Sequence, residues 1–265
     1  EISYDIASTL VAASFTLDRF LPDAPTINEV YSAYIDANNV SIDDIWEAHK
    51  YNLAADAKAS PVVVAVWDSG VDTSIPAFAP LLWRNLREIP ANGIDDDSNG
   101  FVDDVHGIAY DLDANKQRSL LYPIGAFDED EMVMQAQVKG LGDIQSGVDS
   151  EEATALRKRL AALNQAEVQG FIESLSIYGN YSHGTHVAGI AIEGNPFIRL
   201  LVARMTYGHT MIPEEPTIAK AKAEAKMIRE TVDYFKAKGV RAVNMSWGGS
   251  LRSIEEALEA HNAGG

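Results

Sequence analysis

An apolar run directly follows Pro61 and reads Val62-Val63-Val64-Ala65-Val66-Trp67-Asp68-Ser69-Gly70. Six consecutive apolar residues are typical of a strand that is buried on both faces in a parallel sheet. Asp68 ends this strand, and in open α/β sheets the functional crevice lies outside the carboxyl ends of the strands. Asp68 is therefore a candidate site residue, although an isolated Asp-Ser-Gly is more often a turn with a capping aspartate.

Two more apolar runs and one amphipathic segment complete an α/β pattern. Phe197 to Val202 predicts another buried strand, and Val240 to Met245 predicts a third strand. Between them, apolar residues recur at spacings of three and four, which predicts a helix that ends near Gly239. The apolar positions are Ile218, Ala221, Ala225, Ile228, Val232 and Phe235. Strand, helix and strand in this order predict a right-handed βαβ crossover within a parallel sheet.

The remaining segments surround this core. Residues 1–55 are interpreted as an N-terminal extension or linker, with a turn signal at Leu21 to Pro25 and a helix beginning at Ser41. Residues 56–265 form the α/β domain, interrupted by an insertion at about 112–180. Within the insertion, residues 150–175 are predicted to form a helix capped by Asp149 or Ser150. Ser253 to Ala260 is predicted to start another helix.

Composition excludes several classes of protein. The 265 residues include no cysteine, which excludes disulfides, thiolate chemistry and cysteine-ligated zinc. The formal net charge of −18 disfavours nucleic acid as a partner. No apolar run approaches 18 residues, so no membrane-spanning helix is expected. The chain starts at Glu1 without a basic and apolar leader, as expected after removal of a signal segment or for an internal start.

The second informative stretch is His183-Gly184-Thr185-His186-Val187-Ala188-Gly189. Its small residues suit a helix that starts abruptly and packs closely, so His183 is expected at a helix N-terminus that faces the crevice. An imidazole in that position can accept and return a proton. A metal site that uses both His183 and His186 is the alternative, but their spacing is one residue short of His-x-x-x-His and no Glu lies between them. His186 is also compatible with a core position.

Asp68-Ser69-Gly70 and the heptapeptide resemble the aspartate and histidine motifs of the subtilisin-like serine peptidases (subtilases, peptidase S8), in the order of that family. The resemblance implies a three-layer fold, with Asp68 orienting the imidazole and His183 serving as general base and acid. Val243 to Gly249 resembles the segment that pairs with extended substrate, which implies that Ser246, Trp247 and Gly248 border the substrate subsites. The unusually long spacing between the first two motifs is explained by the insertion.

The third member of the triad is missing. No Gly-Thr-Ser-Met-Ala-like segment occurs between residues 1 and 265, and the oxyanion-hole asparagine of the family is missing too. The resemblance therefore implies an incomplete catalytic domain, inactive alone, that is completed by a C-terminal part carrying the serine. Protein or peptide substrates and a secreted or cell-envelope location in a bacterium are expected. The alternative is a truncated or degenerate relative that binds peptide or calcium without cleaving anything.

An acidic segment, Asn92 to Asp104, gives a fourth signal. Asp95, Asp97 and Asn99 alternate before Gly100, as in the first half of an EF-hand loop, and Asp103 falls at the ninth position. His106 occupies the twelfth position, where an EF-hand has Glu, so a true EF-hand is not expected. The interpretation is a structural Ca²⁺ loop with the ligands Asp95, Asp97, Asn99 and Asp103, and a solvated Asx-turn loop is the alternative. No cofactor is expected for catalysis.

Overall fold

A computed structural model describes residues 4–40, 45, 52–124, 130–211, 214–252 and 254–255. The chain divides into two compact units, Glu1–Lys50 and Tyr51–Gly265. The first unit contains helix α1 (Tyr4–Phe15), a π-helical turn (Thr16–Phe20) and helix α2 (Leu21–Asn38). The turn predicted at Leu21 to Pro25 is therefore wrong. The backbone stays helical from the π-helical turn into α2, since the Leu21 N–H donates to the Thr16 carbonyl oxygen, and Pro22 and Pro25 both lie within the helix.

The second unit is built on a five-stranded sheet. Its strands are β1 (Val62–Asp68), β2 (Gly107–Tyr110), β3 (Lys116–Gln117), β4 (Ile198–Met205) and β5 (Ala242–Asn244). Their order is β3-β2-β4-β1-β5, and all neighbours pair in parallel except β2 and β3. The three predicted strands are confirmed, although β5 is shorter than predicted. Strand β2 was not predicted, because four residues are too few to give a periodic signal.

The part of this unit that the structure describes contains the helices α3 (Glu131–Gln145), α4 (Glu151–Ala162), α5 (Gln165–Ile192) and α6 (Ile218–Ala237), and residues 251–252 and 254–255 are helical as well. The predicted cap at Ser150 is confirmed, since its hydroxyl accepts a hydrogen bond from the Ala153 N–H. The single helix predicted for 150–175 is wrong, because Asn164 and Glu167 form a capping box that begins α5. The helix predicted from Ser41 and most of the one predicted from Ser253 lie outside the described residues.

Helices cover both faces of the sheet because side chains alternate along each strand. On one face, Val66, Leu200 and Val202 pack with Ala188 and Ile192 of α5. On the other face, a second cluster packs against α6. Its main members are Ala65, Trp67, Leu201, Met227 and Phe235. Burial of each large apolar side chain contributes about 1.5–3 kcal/mol. The predicted three-layer α/β fold with a parallel sheet is confirmed.

Gly107 explains how the short strand β2 enters the sheet. Its φ is 143°, and a Cβ at this position would lie 1.8 Å from the Val202 carbonyl oxygen of β4. Any side chain would push β2 away from β4, so only glycine permits this pairing. The pairing fixes the acidic loop between β1 and β2 against the sheet.

The insertion is helical, as expected, and has a small core of its own. Met134, Leu156, Leu175 and Tyr178 are buried together between α3, α4 and the N-terminal half of α5. Helices α3 and α4 approach closely at Gly140, where a Cβ would lie 2.5 Å from the Glu152 carbonyl oxygen. The insertion is therefore a packed helical layer that extends α5 beyond the sheet.

Candidate active site

Asp68 and His183 are in direct contact at the carboxyl end of the sheet. The Nδ1 atom of His183 lies 2.7 Å from Oδ1 of Asp68, and the same oxygen accepts a hydrogen bond from the Ser69 N–H at 2.7 Å. Asp68 is only 1% exposed, whereas the His183 side chain is 49% exposed. A carboxylate at Nδ1 favours the tautomer with its proton on that nitrogen, which leaves Nε2 free to accept one.

The backbone of α5 passes unusually close to the end of β1. A Cβ at Gly184 would lie 2.3 Å from the Gly70 carbonyl oxygen, so the glycine allows the helix to approach. Two hydrogen bonds hold this contact: the Gly184 N–H donates to Ser69 Oγ, and the Asp72 N–H donates to Thr185 Oγ1. Sequence neighbours of both candidate residues thus fix the distance between the aspartate and the imidazole.

His183 does not begin a helix, which corrects one prediction. It lies well inside α5, which starts eighteen residues earlier at Gln165. The glycines of the heptapeptide suggested a helix start, but Gly184 serves close packing and Gly189 is simply tolerated within the long helix. His183 therefore owes its orientation to the bond with Asp68 and not to the unpaired N–H groups of a helix end.

Two buried groups beside Asp68 were not predicted. Arg204, paired in register with Asp68 on β4, is 2% exposed, and its guanidinium donates to the Leu121 carbonyl oxygen. Burial lowers its pKa. Burial, together with the charge of Asp68, raises the pKa of Tyr207. Asp68 Oδ2 is buried and has no hydrogen-bond partner among the described residues. The aspartate thus lies in a largely dehydrated site, in which its charge acts strongly on the imidazole.

The three residues predicted to bind substrate follow β5, next to the end of β1. The Trp247 indole N–H donates to the Trp67 carbonyl oxygen at 2.6 Å, and the two rings meet edge to face with centroids 5.1 Å apart. Ser246 Oγ donates to Asn244 Oδ1, and Gly248 has open space around it. Trp247 is therefore anchored to the core, and the substrate-binding role of all three residues stays a prediction.

The acidic loop brings together a different set of side chains from the one predicted. Asp95 and Asp97 each offer an oxygen within 4.8 Å of the other and of Glu88, which was not predicted. Asp103 is engaged elsewhere, since its carboxylate accepts from the N–H groups of Asn92 and Gly93. The Asn99 side chain likewise bonds outside this cluster, to Asp104 and to the Phe101 N–H. No sequence periodicity points to Glu88.

Two oxygens of this cluster lack donors. Glu88 is 5% exposed, and both Glu88 Oε2 and Asp97 Oδ1 are buried without a hydrogen-bond partner among the described residues. Burial raises the pKa of Glu88, and the nearby carboxylates of Asp104 and Asp97 raise it further. Lys238 Nζ, 2.9 Å from Asp97 Oδ2, compensates part of the negative charge. Glu88, Asp95 and Asp97 each place one carboxylate oxygen within 4.8 Å of the other two, and oxygens are the ligands that a hard cation prefers.

Comparison with known proteins agrees with this geometry. Residues 59–264 match the model of the Subtilase family, Peptidase S8. The match covers most of the chain, so the chain belongs to the subtilase family, a family of serine peptidases that act on proteins. A stretch of 48 residues is 42% identical to Subtilisin-like protease 1 of Plasmodium berghei (strain Anka). This stretch spans 18% of the chain and only 8% of that relative.

One further property concerns membranes. Among the described residues, no helix is both long enough and apolar enough to cross a bilayer.

Proposed function

We propose that this chain is the first part of the catalytic domain of a secreted or cell-envelope serine endopeptidase from a bacterium. One observation carries the proposal: the 2.7 Å contact between the His183 imidazole and the buried Asp68 carboxylate at the carboxyl end of a parallel sheet. This pair has the contact that a Ser-His-Asp triad requires between its base and the group that orients it. Membership of the subtilase family supports it.

The chemistry follows from the free Nε2 of His183. It would take the proton from a serine hydroxyl as that oxygen attacks the scissile carbonyl, and then deliver the proton to the leaving amine. Asp68 would stabilise the imidazolium in between, because a charge in a dehydrated site interacts strongly with its neighbours. The exposed half of His183 leaves room for the serine, which would lie beyond residue 265.

The remaining part of the domain is thus the first proposed partner of this chain. The substrate strand would pair along the segment Ser246 to Gly248, because main-chain hydrogen bonds at a sheet edge can bind an extended peptide with little regard to its sequence. This segment follows β5, an edge strand of the sheet with exposed residues. Substrates would therefore be unfolded segments of proteins.

Active-site labelling of the full-length protein tests this proposal. A fluorophosphonate should phosphonylate one serine beyond residue 265 and abolish cleavage of casein. Mass spectrometry of the labelled peptide identifies the serine. Labelling of Ser246, or no labelling of a protein that still cleaves casein, would contradict the proposal. An unlabelled protein without peptidase activity would instead favour the alternative of a degenerate relative that binds peptide or calcium.

We also propose that the acidic loop holds a structural Ca²⁺ through Glu88, Asp95 and Asp97. Support comes from the buried, unpaired Glu88 Oε2 and Asp97 Oδ1, since a buried carboxylate oxygen without a partner is costly. Ca²⁺ prefers several oxygen ligands of this type at 2.3–2.6 Å. Asn99 and Asp103, the other two residues of the predicted set, would shape the loop through their bonds to neighbouring groups.

A Glu88→Gln variant of the full-length protein should be more stable than the parent protein without calcium and less stable than the parent with calcium. The pKa of Glu88 is raised in the fold, so its ionisation costs stability as pH rises above the unfolded value of about 4.3. In EDTA at pH 7 the variant should therefore melt above the parent protein, whereas the difference should shrink at pH 4. With Ca²⁺ at about 100 times its Kd, the parent should gain roughly 5–10 °C and the variant much less.

Asp113→Asn is the matched control, because it removes an exposed acid outside the cluster. It should keep the full calcium response in differential scanning calorimetry. Equal calcium responses in the parent and in Glu88→Gln would rule out this ligand set.

A further inference from the structure

A groove between α3 and α5 of the insertion includes the His183 imidazole in its lining. Its volume is about 1020 Å³. One wall is a face of α3 that includes Glu131, Gln135 and Val138, and the other is the α5 surface from Leu175 to His183. His183 thus belongs both to the proposed triad and to this groove. A molecule that reacts at His183 has a continuous path into the space between the two helices.

The walls of the groove are built on packed structure. Tyr178, at its base, is buried in the core of the insertion, and its hydroxyl lies 3.5 Å from Glu131 Oε1. The N-terminal half of α5 is also tied to the loop after β4. Glu173 accepts a hydrogen bond from the Met211 N–H, and the Asn180 amide lies 3.4 Å from the Tyr207 carbonyl oxygen. These contacts hold the groove in a fixed position relative to the sheet.

The surface of the groove is apolar with an excess of negative charge. Val138, Leu141 and Tyr181 supply apolar area. Burial raises the pKa of the Tyr181 hydroxyl, and the nearby charges of Asp72 and Glu131 raise it further. Lys139 also lines the groove, but it is already paired with Asp143 and Glu152. Among the described residues, neither Asp72 nor Glu131 forms an ion pair with Lys or Arg. The groove therefore complements apolar and basic groups.

Its length suits an extended chain. The α3 wall, from Glu131 to Gln145, is about 21 Å long at 1.5 Å per residue, which equals roughly six residues of extended peptide. We propose that this groove binds the part of the polypeptide substrate that continues past the scissile region, and that it selects a stretch of alternating basic and apolar residues. This inference rests on the proposed peptidase function and adds a site made by the insertion.

The experiment uses peptides with one shared core sequence, chosen from the cleavage products of the full-length protein. Six alternating Lys and Leu residues extend the core on its N-terminal or its C-terminal side, and control peptides carry Glu in place of Lys. The Lys-Leu extension on one side should raise kcat/KM at least about tenfold over the bare core, and the Glu extension should not.

Gln135→Lys and Ala136→Lys are then compared. Both place one positive charge at an exposed position of α3, but only Gln135 lines the groove.

For each variant, kcat/KM for the extended peptide is divided by kcat/KM for the core peptide. This ratio should be about fivefold lower for Gln135→Lys than for Ala136→Lys, because the new lysine repels the basic residues of the bound segment. Equal ratios for the two variants would overturn the inference. No gain from either extension would overturn it as well, and is the result expected if another part of the same protein fills the groove. In both cases the core peptide is still cleaved, which separates these outcomes from failure of the proposed peptidase function, where no peptide is cleaved.

Discussion

Replacing His183 with alanine is expected to lower kcat for peptide hydrolysis by the full-length protein roughly 10⁵- to 10⁶-fold. That is the scale of loss when the base of a Ser-His-Asp triad is removed, because no other group then takes the proton from the serine. His183 is half-exposed, and its imidazole bonds to Asp68 alone among the described residues. The fold should therefore survive, and thermal unfolding should shift by only a few degrees. The measurement is the rate of cleavage of a fluorogenic peptide under saturating conditions.

His186→Ala provides the matched comparison, one helical turn further along α5. In a triad only His183 is required, so the His186 variant should keep at least about a tenth of the activity. In a zinc site that uses both imidazoles, the two variants would lose activity together and added Zn²⁺ would change both. Among the described residues, the clustered metal-ligating groups include neither histidine. Unchanged turnover in His183→Ala would refute the assignment of the catalytic base.

The layers of this fold were predictable because their signals are local and long. An unbroken apolar run such as Val62 to Trp67 has one common structural solution, a strand covered on both faces. The spacing of apolar residues before Gly239 likewise predicted a helix, and α6 ends as predicted. Of the predicted apolar positions only Phe235 is buried, and the other buried residues of α6 are Met227, Thr231 and Tyr234. Strand β2 escaped prediction because its four residues are held in place by a long-range contact, that of Gly107 with Val202. The sequence of β2 alone does not predict that contact.

Some residues of the candidate sites were likewise predictable from local sequence motifs, and others were not. Asp68 and His183 each lie in a specific motif, and their 2.7 Å contact is the geometry that those motifs imply. Glu88 lies in an unremarkable stretch, yet folding brings it to Asp95 and Asp97. The direction in which Asp103 points also depends on backbone conformation, since its φ of 54° turns its carboxylate toward the N–H groups of Asn92 and Gly93. Alternation of acids along a loop therefore did not predict which side chains meet, and the cation ligands stay a proposal.

The insertion shows why a motif can be recognised while its surroundings are misjudged. The heptapeptide fits a helix start equally well on sequence grounds, because small residues permit both an abrupt start and close packing. In the structure, the capping box of Asn164 and Glu167 starts the helix about five turns before His183. The same extension creates one wall of the groove beside His183. The placement of the helix N-terminus therefore determines whether the groove proposed to select substrate exists.

Gly184→Ala should cost the full-length enzyme both stability and activity. The new Cβ would lie 2.3 Å from the Gly70 carbonyl oxygen and 3.0 Å from the Gly70 nitrogen, and backbone atoms at the end of β1 cannot move aside cheaply. Overpacking of this kind costs about 1–3 kcal/mol. Helix α5 should shift away from β1 and lengthen the bond between His183 and Asp68. Since a misplacement of about 1 Å costs on the order of 10²-fold in rate, kcat/KM should fall by that factor or more.

Gly189→Ala is the control on the same helix, because nothing lies within 4 Å of the Cβ position there. Alanine inside a helix is favoured over glycine by up to about 1 kcal/mol, so this variant should melt slightly higher and retain its activity. Urea unfolding and peptide hydrolysis measured on both variants separate helix propensity from packing at the site. If Gly184→Ala matched Gly189→Ala in both measurements, the close approach of α5 to β1 would not be what holds the imidazole against Asp68.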